Sequence, residues 1–194
     1  NGLSVTSQNA GPKQFFFDYK NDQEWHYTAP INEQPVVHIF GAGHVGLALS
    51  QQLTLLDFYI HLYDNRPALN TLQENKFAHE KHIIDYEKLN DLELSAHDYI
   101  VIATVGYKTD KLIFRQLLGK PFFYLGMMGS DVKIKTLLDE LKDEGLSPEL
   151  WKNYFLPIGL PVHSRTAAEI AVSIAAQMIN ERNKDLPTGR KSKR

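Results

Sequence analysis

The feature that most constrains this 194-residue chain is a glycine-rich loop between a strand pattern and a helix pattern. In "VVHIFGAGHVGLALSQQL", residues 36–53, Gly41, Gly43 and Gly46 form a Gly-x-Gly-x-x-Gly motif directly after an apolar run. The first glycine permits a tight turn, the second lets a pyrophosphate approach the backbone, and the third lets helix and strand pack closely. The stretch predicts a phosphate-binding loop at a helix N-terminus, although some domains keep such glycines for packing alone.

Short apolar runs and amphipathic segments alternate from Val36 onward. The pattern predicts strands near 36–40, 59–63, 81–84, 99–103 and 122–125, and helices near 44–56, 68–75, 108–118, 131–144 and 166–182. Thr166 and Glu169 form the Thr-x-x-Glu capping box that starts the last helix. Such alternation is typical of right-handed crossover units. It predicts an α/β fold with a doubly wound, mainly parallel, Rossmann-like sheet.

The chain divides into three predicted parts. Residues 1–34 hold two short aromatic runs, "QFFFDY" and "EWHYTA", around the polar turn "KNDQ". They predict a small N-terminal β-hairpin extension and a linker. Residues 35–182 form the predicted Rossmann-like domain, and residues 183–194 form a polar, basic tail that is predicted to be disordered.

Composition and charge restrict the possible partners. The formal net charge is −2, which gives no electrostatic reason to expect nucleic acid or an anionic membrane. The densest apolar run, "DYIVIATV" at 98–105, is far shorter than the roughly 20 residues of a membrane span, and no secretory leader is visible. The chain has no cysteine, which excludes disulfides and thiolate ligands. We expect a cytoplasmic protein with a small-molecule or protein partner.

Three further residues near the glycine loop are candidate ligand contacts. Asp64 ends the next strand pattern and lies 21 residues after Gly43, at the spacing of a carboxylate that accepts hydrogen bonds from a ribose diol. Asp64 would repel a 2′-phosphate, although Arg66 weakens that argument, so an unphosphorylated ribose is favoured. His44 lies at the helix mouth, where it either donates to a phosphate or points to solvent.

A second glycine-rich stretch, "FFYLGMMGSDVK" at 122–133, also ends a strand pattern. Gly126 and Gly129 precede Ser130, a helix N-cap candidate, and Lys133 lies one turn into the helix. Such a loop can bind an anion, but it can equally be an ordinary capped helix with a solvated lysine. In the common doubly wound strand order both glycine loops open at one sheet edge, so we expect Lys133 to face the same cleft. As an exposed residue, Lys133 is expected to tolerate charge reversal with little loss of stability.

The remaining ionisable residues give weaker signals. Five histidines are predicted to be scattered surface or core residues without a metal site: His26, His61, His79, His82 and His97. His163 follows "PIGLP" and is a candidate wall or lid residue of the ligand cleft. A hydride-transferring enzyme needs an acid or base near the strand ends, and "TVGYKTD" at 104–110 offers only Tyr107, Lys108 and Asp110, with no histidine. The sequence therefore predicts no catalytic residue.

Four stretches together resemble one family: "FGAGHVG", "DNRP", "GMMGSDVK" and "LPIGLPVHSRTAAEIAVSIAAQMI". Over residues 35–182 the chain resembles the carboxyl-terminal domain of the XdhC family, the xanthine dehydrogenase accessory proteins, which are also grouped with CoxI-type maturation factors. The resemblance implies a chaperone-like, non-catalytic protein that binds the molybdenum cofactor (molybdopterin) and delivers it to a xanthine dehydrogenase-type molybdenum hydroxylase. A sulfurtransferase and a second copy of the chain are further candidate partners. The alternatives are an NAD-dependent oxidoreductase of a small substrate and a nucleotide-sensing regulatory module.

Several residues match the family pattern, and others depart from it. The resemblance carries over to Gly41, Gly43, His44, Gly46, Asp64, Arg66, Asp110, Gly126, Gly129, Ser130, Lys133, Pro157–Leu160 and Glu169. Where family members commonly show Thr-His-x-His-x-x-Asp, this chain has Val105 and Tyr107 in place of the two histidines. The cysteine-bearing domain that commonly precedes this one is also missing, so we expect either a shortened or a divergent member.

Overall fold

The computed structural model describes residues 16–21, 24–28 and 34–184. The chain separates into two units, residues 1–33 and residues 34–194. In the first, strands β1 (Phe16–Asn21) and β2 (Glu24–Thr28) pair antiparallel, with Phe16 opposite Thr28. The predicted hairpin is therefore present, and β1 extends into the residues expected to form the turn. The linker around residue 30 and most of the predicted disordered tail, residues 185–194, lie outside the described residues.

The second unit contains a five-stranded sheet in which every neighbouring pair is parallel. Its strands are β3 (Val36–Phe40), β4 (Tyr59–Asp64), β5 (Glu80–Ile83), β6 (Tyr99–Ile102) and β7 (Tyr124–Met127), in the spatial order β5-β4-β3-β6-β7. This order confirms the predicted doubly wound, Rossmann-like fold. Since both glycine loops follow strands of this sheet, both lie at its carboxyl edge.

Helices cover both faces of the sheet, as the continuous apolar runs of the strands require. They are α1 (His44–Thr54), α2 (Asn70–Glu74), α3 (Tyr107–Leu117), α4 (Asp131–Asp143) and α5 (Ala167–Asn183), with short 3₁₀ turns at Leu89–Asp91 and Pro148–Leu150. Leu49 of α1 and Ile174 of α5 belong to the apolar core on one face, while Ile113 of α3 and Leu137 of α4 belong to the core on the other. Thr166 and Glu169 form the predicted capping box of α5. Within the described ranges, no helix is both long and apolar enough to cross a bilayer.

The segment after α4 adds an irregular partner to the sheet edge, which the sequence did not predict. The Phe155 N–H donates to the Leu125 carbonyl (2.9 Å), and the Ile158 N–H donates to the Met127 carbonyl (3.0 Å). These bonds satisfy backbone groups of an otherwise open edge strand. They also explain Gly126, since a Cβ there would lie 2.5 Å from Cγ1 of Ile158. The strand therefore ends two residues later than predicted, and Gly126 belongs to β7 rather than to the loop.

Candidate functional site

The three glycines of the first loop have different neighbours. Gly41 has φ 115°, and a Cβ on it would lie 2.2 Å from the Ala103 carbonyl oxygen. A Cβ on Gly46 would lie 2.1 Å from the Gly41 carbonyl oxygen. A Cβ on Gly43, in contrast, would meet nothing within 4 Å. Gly41 and Gly46 therefore serve the turn and the packing of helix on strand, while Gly43 presents open backbone of the kind that a phosphate approaches.

Among the residues that the structure describes, no side chain caps the N-terminus of α1. The N-cap residue is Gly43, which has no side chain to accept a hydrogen bond, and the first turn contains no acidic residue. His44 is exposed at the first helical position. The helix start therefore presents unsatisfied N–H groups and the positive end of its dipole.

The second loop differs in this respect. The Ser130 hydroxyl accepts a hydrogen bond from the Lys133 backbone N–H (3.2 Å), so α4 has an ordinary N-cap. Gly129 packs closely, because a Cβ there would lie 3.1 Å from the side chain of Ile134. Of the two glycine loops, the first has the stronger character of an anion site.

Asp64 lies beside the first loop, almost fully buried at 1% exposure. Its Oδ2 accepts the Ala42 N–H (2.8 Å) and Nη2 of Arg66 (2.9 Å), and its Oδ1 accepts the N–H (3.0 Å) and Nε (2.8 Å) of Arg66. Burial alone would raise the pKa of this carboxyl, but the hydrogen bonds from Arg66 and Ala42 outweigh burial and hold the pKa below its ordinary value. Asp64 is therefore an ionised brace of the glycine loop.

These four hydrogen bonds bear on the predicted role of Asp64. A carboxylate has about four lone-pair sites, and the contacts from Ala42 and Arg66 fill them. A ribose diol can bind Asp64 only if the Arg66 guanidinium moves away, so that role remains a prediction. The Arg66 side chain is 42% exposed and lines a cleft of about 260 Å³ together with Tyr86, Thr104 and Val105. In this conformation the cleft presents a cation.

A buried network joins the ends of β6 and β7. Asp110 is 1% exposed, and its Oδ1 accepts the backbone N–H (3.1 Å) and the hydroxyl of Thr104. Its Oδ2 accepts from Nζ of Lys133, which also donates to the Met128 carbonyl (3.3 Å). Lys133 thus lies at the carboxyl edge, as predicted from topology, but its ammonium is paired with a buried carboxylate. Anion binding by Lys133 remains a prediction.

The two positions where the family pattern has histidines lack acid–base groups that face the cleft. Val105 is 71% exposed and lines the cleft. The Tyr107 hydroxyl donates to Oε2 of Glu140 on α4 (2.6 Å), and burial together with this bond raises the Tyr107 pKa to about 12. Lys108 is exposed on the first turn of α3. The chain thus retains Thr104 and Asp110 of the family pattern as a structural pair.

The segment before α5 is fixed to the body of the domain. Gly159 has φ 97°, its N–H donates to Gln177 of α5 (2.8 Å), and a Cβ on it would lie 2.3 Å from the Ser173 hydroxyl. His163 is exposed, has φ 55° and lies beside Glu169 at the start of α5. Gly159 is therefore anchored to α5, and the predicted wall or lid role of residues 157–160 and of His163 remains a prediction.

One cluster of two histidines and a carboxylate was not predicted from the sequence. The expectation of scattered histidines is wrong for His61 and His82, whose ring nitrogens lie with a Glu80 carboxylate oxygen within 4.8 Å of one another. The signal was the pair "YIHLYD" and "EKHI", which become neighbouring parallel strands. Predicting the cluster requires the knowledge that these two strands are neighbours, which the sequence alone does not provide.

The fold and the glycine loop define a Rossmann-type class of domain. Residues 37–178 match the XdhC Rossmann domain, and the chain belongs to the XdhC family.

Two curated relatives and one solved structure are similar to this chain. One relative is an Escherichia coli protein named uncharacterized protein YqeB, 27% identical over 155 residues, which cover 77% of this chain and 28% of the relative. Another, from Bacillus subtilis, is named as a probable xanthine dehydrogenase subunit; it is 29% identical over 157 residues, which cover 79% of this chain and 45% of the relative. The solved structure is described as a xanthine dehydrogenase from Bacillus halodurans, with TM-score 0.70 and 25% identity over 86% of this chain and 47% of that chain. This chain thus spans less than half the length of each.

Proposed function

We propose that this chain binds the molybdenum cofactor in the cytoplasm and acts as a maturation and delivery factor for a xanthine dehydrogenase-type molybdenum hydroxylase. Membership of the XdhC family supports the proposal, as do two similar proteins whose names refer to xanthine dehydrogenase. The hydroxylase partner, a sulfurtransferase and a second copy of the chain all belong to the proposal, because the matched part is less than half of those relatives.

The observation that carries the proposal is the uncapped N-terminus of α1. Gly43 has open space on its side-chain side, and the Arg66 guanidinium lines the neighbouring cleft. Backbone N–H groups, a helix dipole and a guanidinium are the groups that bind a phosphate. These residues fit the phosphate end of molybdopterin, and the chain contains no cysteine to act as a thiolate ligand of molybdenum. The bound cofactor would supply molybdenum redox chemistry to the hydroxylase, while this chain would hold and orient its phosphate.

The test measures the pterin that copurifies with the full chain from cells that make the cofactor. The pterin is released, oxidised and quantified by fluorescence. Gly43→Val places a branched side chain where the phosphate would approach, and we expect at least a tenfold loss of bound pterin, which corresponds to about 1.4 kcal/mol. The fold should survive, since Gly43 has φ −68° and its Cβ would meet no atom. Lys135→Glu on exposed α4 surface is the matched control and should bind normally.

Two results would overturn the proposal. One is wild-type protein that carries no pterin. The other is a folded Gly43→Val variant, shown by an unchanged circular dichroism spectrum, that carries as much pterin as the control.

A nucleotide-sensing module would use the same loop, and Arg66 separates the two ligand classes. A phosphate that pairs with the guanidinium loses affinity when Arg66 is removed. A ribose diol that needs Asp64 gains affinity, because Arg66→Ala removes the side-chain donor from each carboxylate oxygen and leaves only one backbone N–H donor on each. We expect Arg66→Ala to lower pterin content. Calorimetry with NAD⁺ on the same variant measures the alternative, and tighter NAD⁺ binding together with unchanged pterin content would favour the nucleotide-sensing function.

A further inference from the structure

The cluster of His61, Glu80 and His82, here called the β4–β5 cluster, lies on one face of the sheet and includes no residue of the glycine loop. β4 and β5 are parallel neighbours, with His61 opposite Glu80 and Tyr63 opposite His82. Alternate residues of a strand share a face, so Glu80 and His82 project to the same side. Their side chains are 43% and 33% exposed, and that of His61 is 20% exposed. The cluster is therefore half-buried and open on one side.

The three nearest atoms of the β4–β5 cluster form an almost regular triangle. Nδ1 of His61 lies 3.2 Å from Nε2 of His82 and 3.6 Å from Oε2 of Glu80, and the last two atoms are 3.3 Å apart. Tetrahedral Zn²⁺ with bonds of about 2.0–2.2 Å holds its ligand atoms about 3.3–3.6 Å apart. An octahedral ion with bonds of about 2.1 Å requires ligand atoms about 3.0 Å apart. The spacing therefore matches one face of a tetrahedral site.

The groups around the β4–β5 cluster hold its ligands in a suitable orientation. The Tyr59 hydroxyl donates to Oε1 of Glu80 (3.0 Å), which leaves Oε2 toward the two histidines. The His61 ring stacks on the buried His38 ring, with centroids 4.8 Å apart and planes 7° apart. Partners that orient ligands in this way are common around metal sites.

We propose that Nδ1 of His61, Nε2 of His82 and Oε2 of Glu80 bind a divalent transition-metal ion, Zn²⁺, in a tetrahedral site. Imidazole and carboxylate suit Zn²⁺, and three protein ligands leave a fourth position for water or an incoming ligand. Without metal, His61 and His82 share a hydrogen bond, and the Glu80 carboxylate lies beside both rings. The metal site does not depend on the proposed cofactor function, because it uses none of the residues of the glycine loop.

The test titrates the full, chelator-treated chain with ZnCl₂ by calorimetry, and with CoCl₂ while visible absorption is recorded. We expect one Zn²⁺ per chain and the intense visible bands of tetrahedral Co²⁺. His82→Ala and Glu80→Gln each remove one ligand, and each should weaken Zn²⁺ binding by at least about 100-fold, the upper end of the effect of losing an orienting partner. Glu80→Gln keeps an oxygen for the Tyr59 hydroxyl. His97→Ala removes an exposed histidine outside the cluster and should bind as wild type does.

Thermal unfolding provides an independent readout. With Zn²⁺ at about 100 times its dissociation constant, the wild-type midpoint should rise by about 5–10 °C, while Glu80→Gln should not respond. Absence of Zn²⁺ binding by wild-type protein would overturn the site and leave the His61–His82 hydrogen bond, with the Glu80 carboxylate beside it, as the explanation of the cluster. Equal affinity in wild type, His82→Ala and Glu80→Gln would place any bound metal elsewhere, and weak, octahedral-type Co²⁺ bands would overturn the tetrahedral assignment.

Discussion

Lys133→Met is the change whose effect the structure defines most sharply. The Asp110 side chain is 2% exposed, and the Lys133 ammonium is its cationic partner. Removing the ammonium leaves Oδ2 of Asp110 without its charged donor, while Thr104 continues to donate to Oδ1. From the sequence, Lys133 is expected to be an exposed charge whose reversal is nearly neutral. The structure contradicts the free exposure on which that expectation rests, because the ammonium contacts a buried carboxylate, and we therefore expect a loss of stability instead.

The expected loss follows from the burial of the pair. Removing one partner of a fully buried ion pair costs about 3–5 kcal/mol, and one hydrogen bond to a charged group is worth about 1.5–3 kcal/mol. The Lys133 side chain is 24% exposed, so water reaches part of the pair and reduces the loss. We expect Lys133→Met to lower the free energy of unfolding by about 2–3 kcal/mol. For a domain of this size, that corresponds to a fall of about 4–12 °C in the unfolding midpoint.

The assay is urea unfolding of wild type, Lys133→Met and Lys135→Met. Lys135 is an exposed residue of the same helix and forms no ion pair within the described residues, so its variant should lie within about 0.5 kcal/mol of wild type. A double-mutant cycle with Asp110→Asn should show a coupling energy of about 1–3 kcal/mol. The reasoning is refuted if Lys133→Met is as stable as Lys135→Met, or if the two sites of the cycle are additive.

Three further predictions concern the carboxyl edge. Gly46→Ala should lower the unfolding free energy by at least about 1–3 kcal/mol, because its Cβ would lie 2.1 Å from a carbonyl oxygen; an unchanged thermal midpoint would contradict this. The folded-state pKa of Asp64 lies below its ordinary value of 3.8, so its contribution to stability is present above about pH 4 and is lost as the pH falls through the folded value. The free energy of unfolding should therefore fall less steeply with decreasing pH for Asp64→Asn than for wild type. Parallel curves for the two proteins would refute the stabilising role of the Asp64 carboxylate. The full chain should not oxidise NADH steadily with a panel of small carbonyl compounds, and sustained turnover would favour the oxidoreductase alternative.

Most of the fold could be predicted because its determinants are local or periodic. β3 occupies the predicted residues, since a strand buried on both faces needs a continuous apolar run. The capping box of α5 is likewise encoded within four residues. The end of β7 could not be predicted, because its last residues pair with a segment about 30 positions later in the chain. An apolar run indicates that a strand is present, but the segment that pairs with the strand determines where the strand ends.

The candidate site shows the same division. The position of Asp64 at the end of β4 follows from the strand pattern and from its distance to Gly43. The pairing of the Asp64 carboxylate with Arg66 depends on the side-chain conformation of Arg66, which the sequence does not specify. The β4–β5 cluster depends on the register that sets His61 opposite Glu80. Neither contact has a sequence spacing that identifies it.

Hydrogen bonds to neighbouring residues hold the glycine loop in the conformation seen in the structure. The Gly41 N–H donates to the Tyr63 carbonyl (2.8 Å), Asp64 accepts the Ala42 N–H, and the Thr71 hydroxyl donates to the Ala42 carbonyl (2.5 Å). A ligand therefore does not have to order the loop, and its affinity is not reduced by that cost. What differs between ligands is the fate of Arg66, which a phosphate retains as a partner and a ribose diol must displace. Under the proposed function, specificity at this edge would therefore be set by one guanidinium rather than by the glycine motif, which both ligand classes would share.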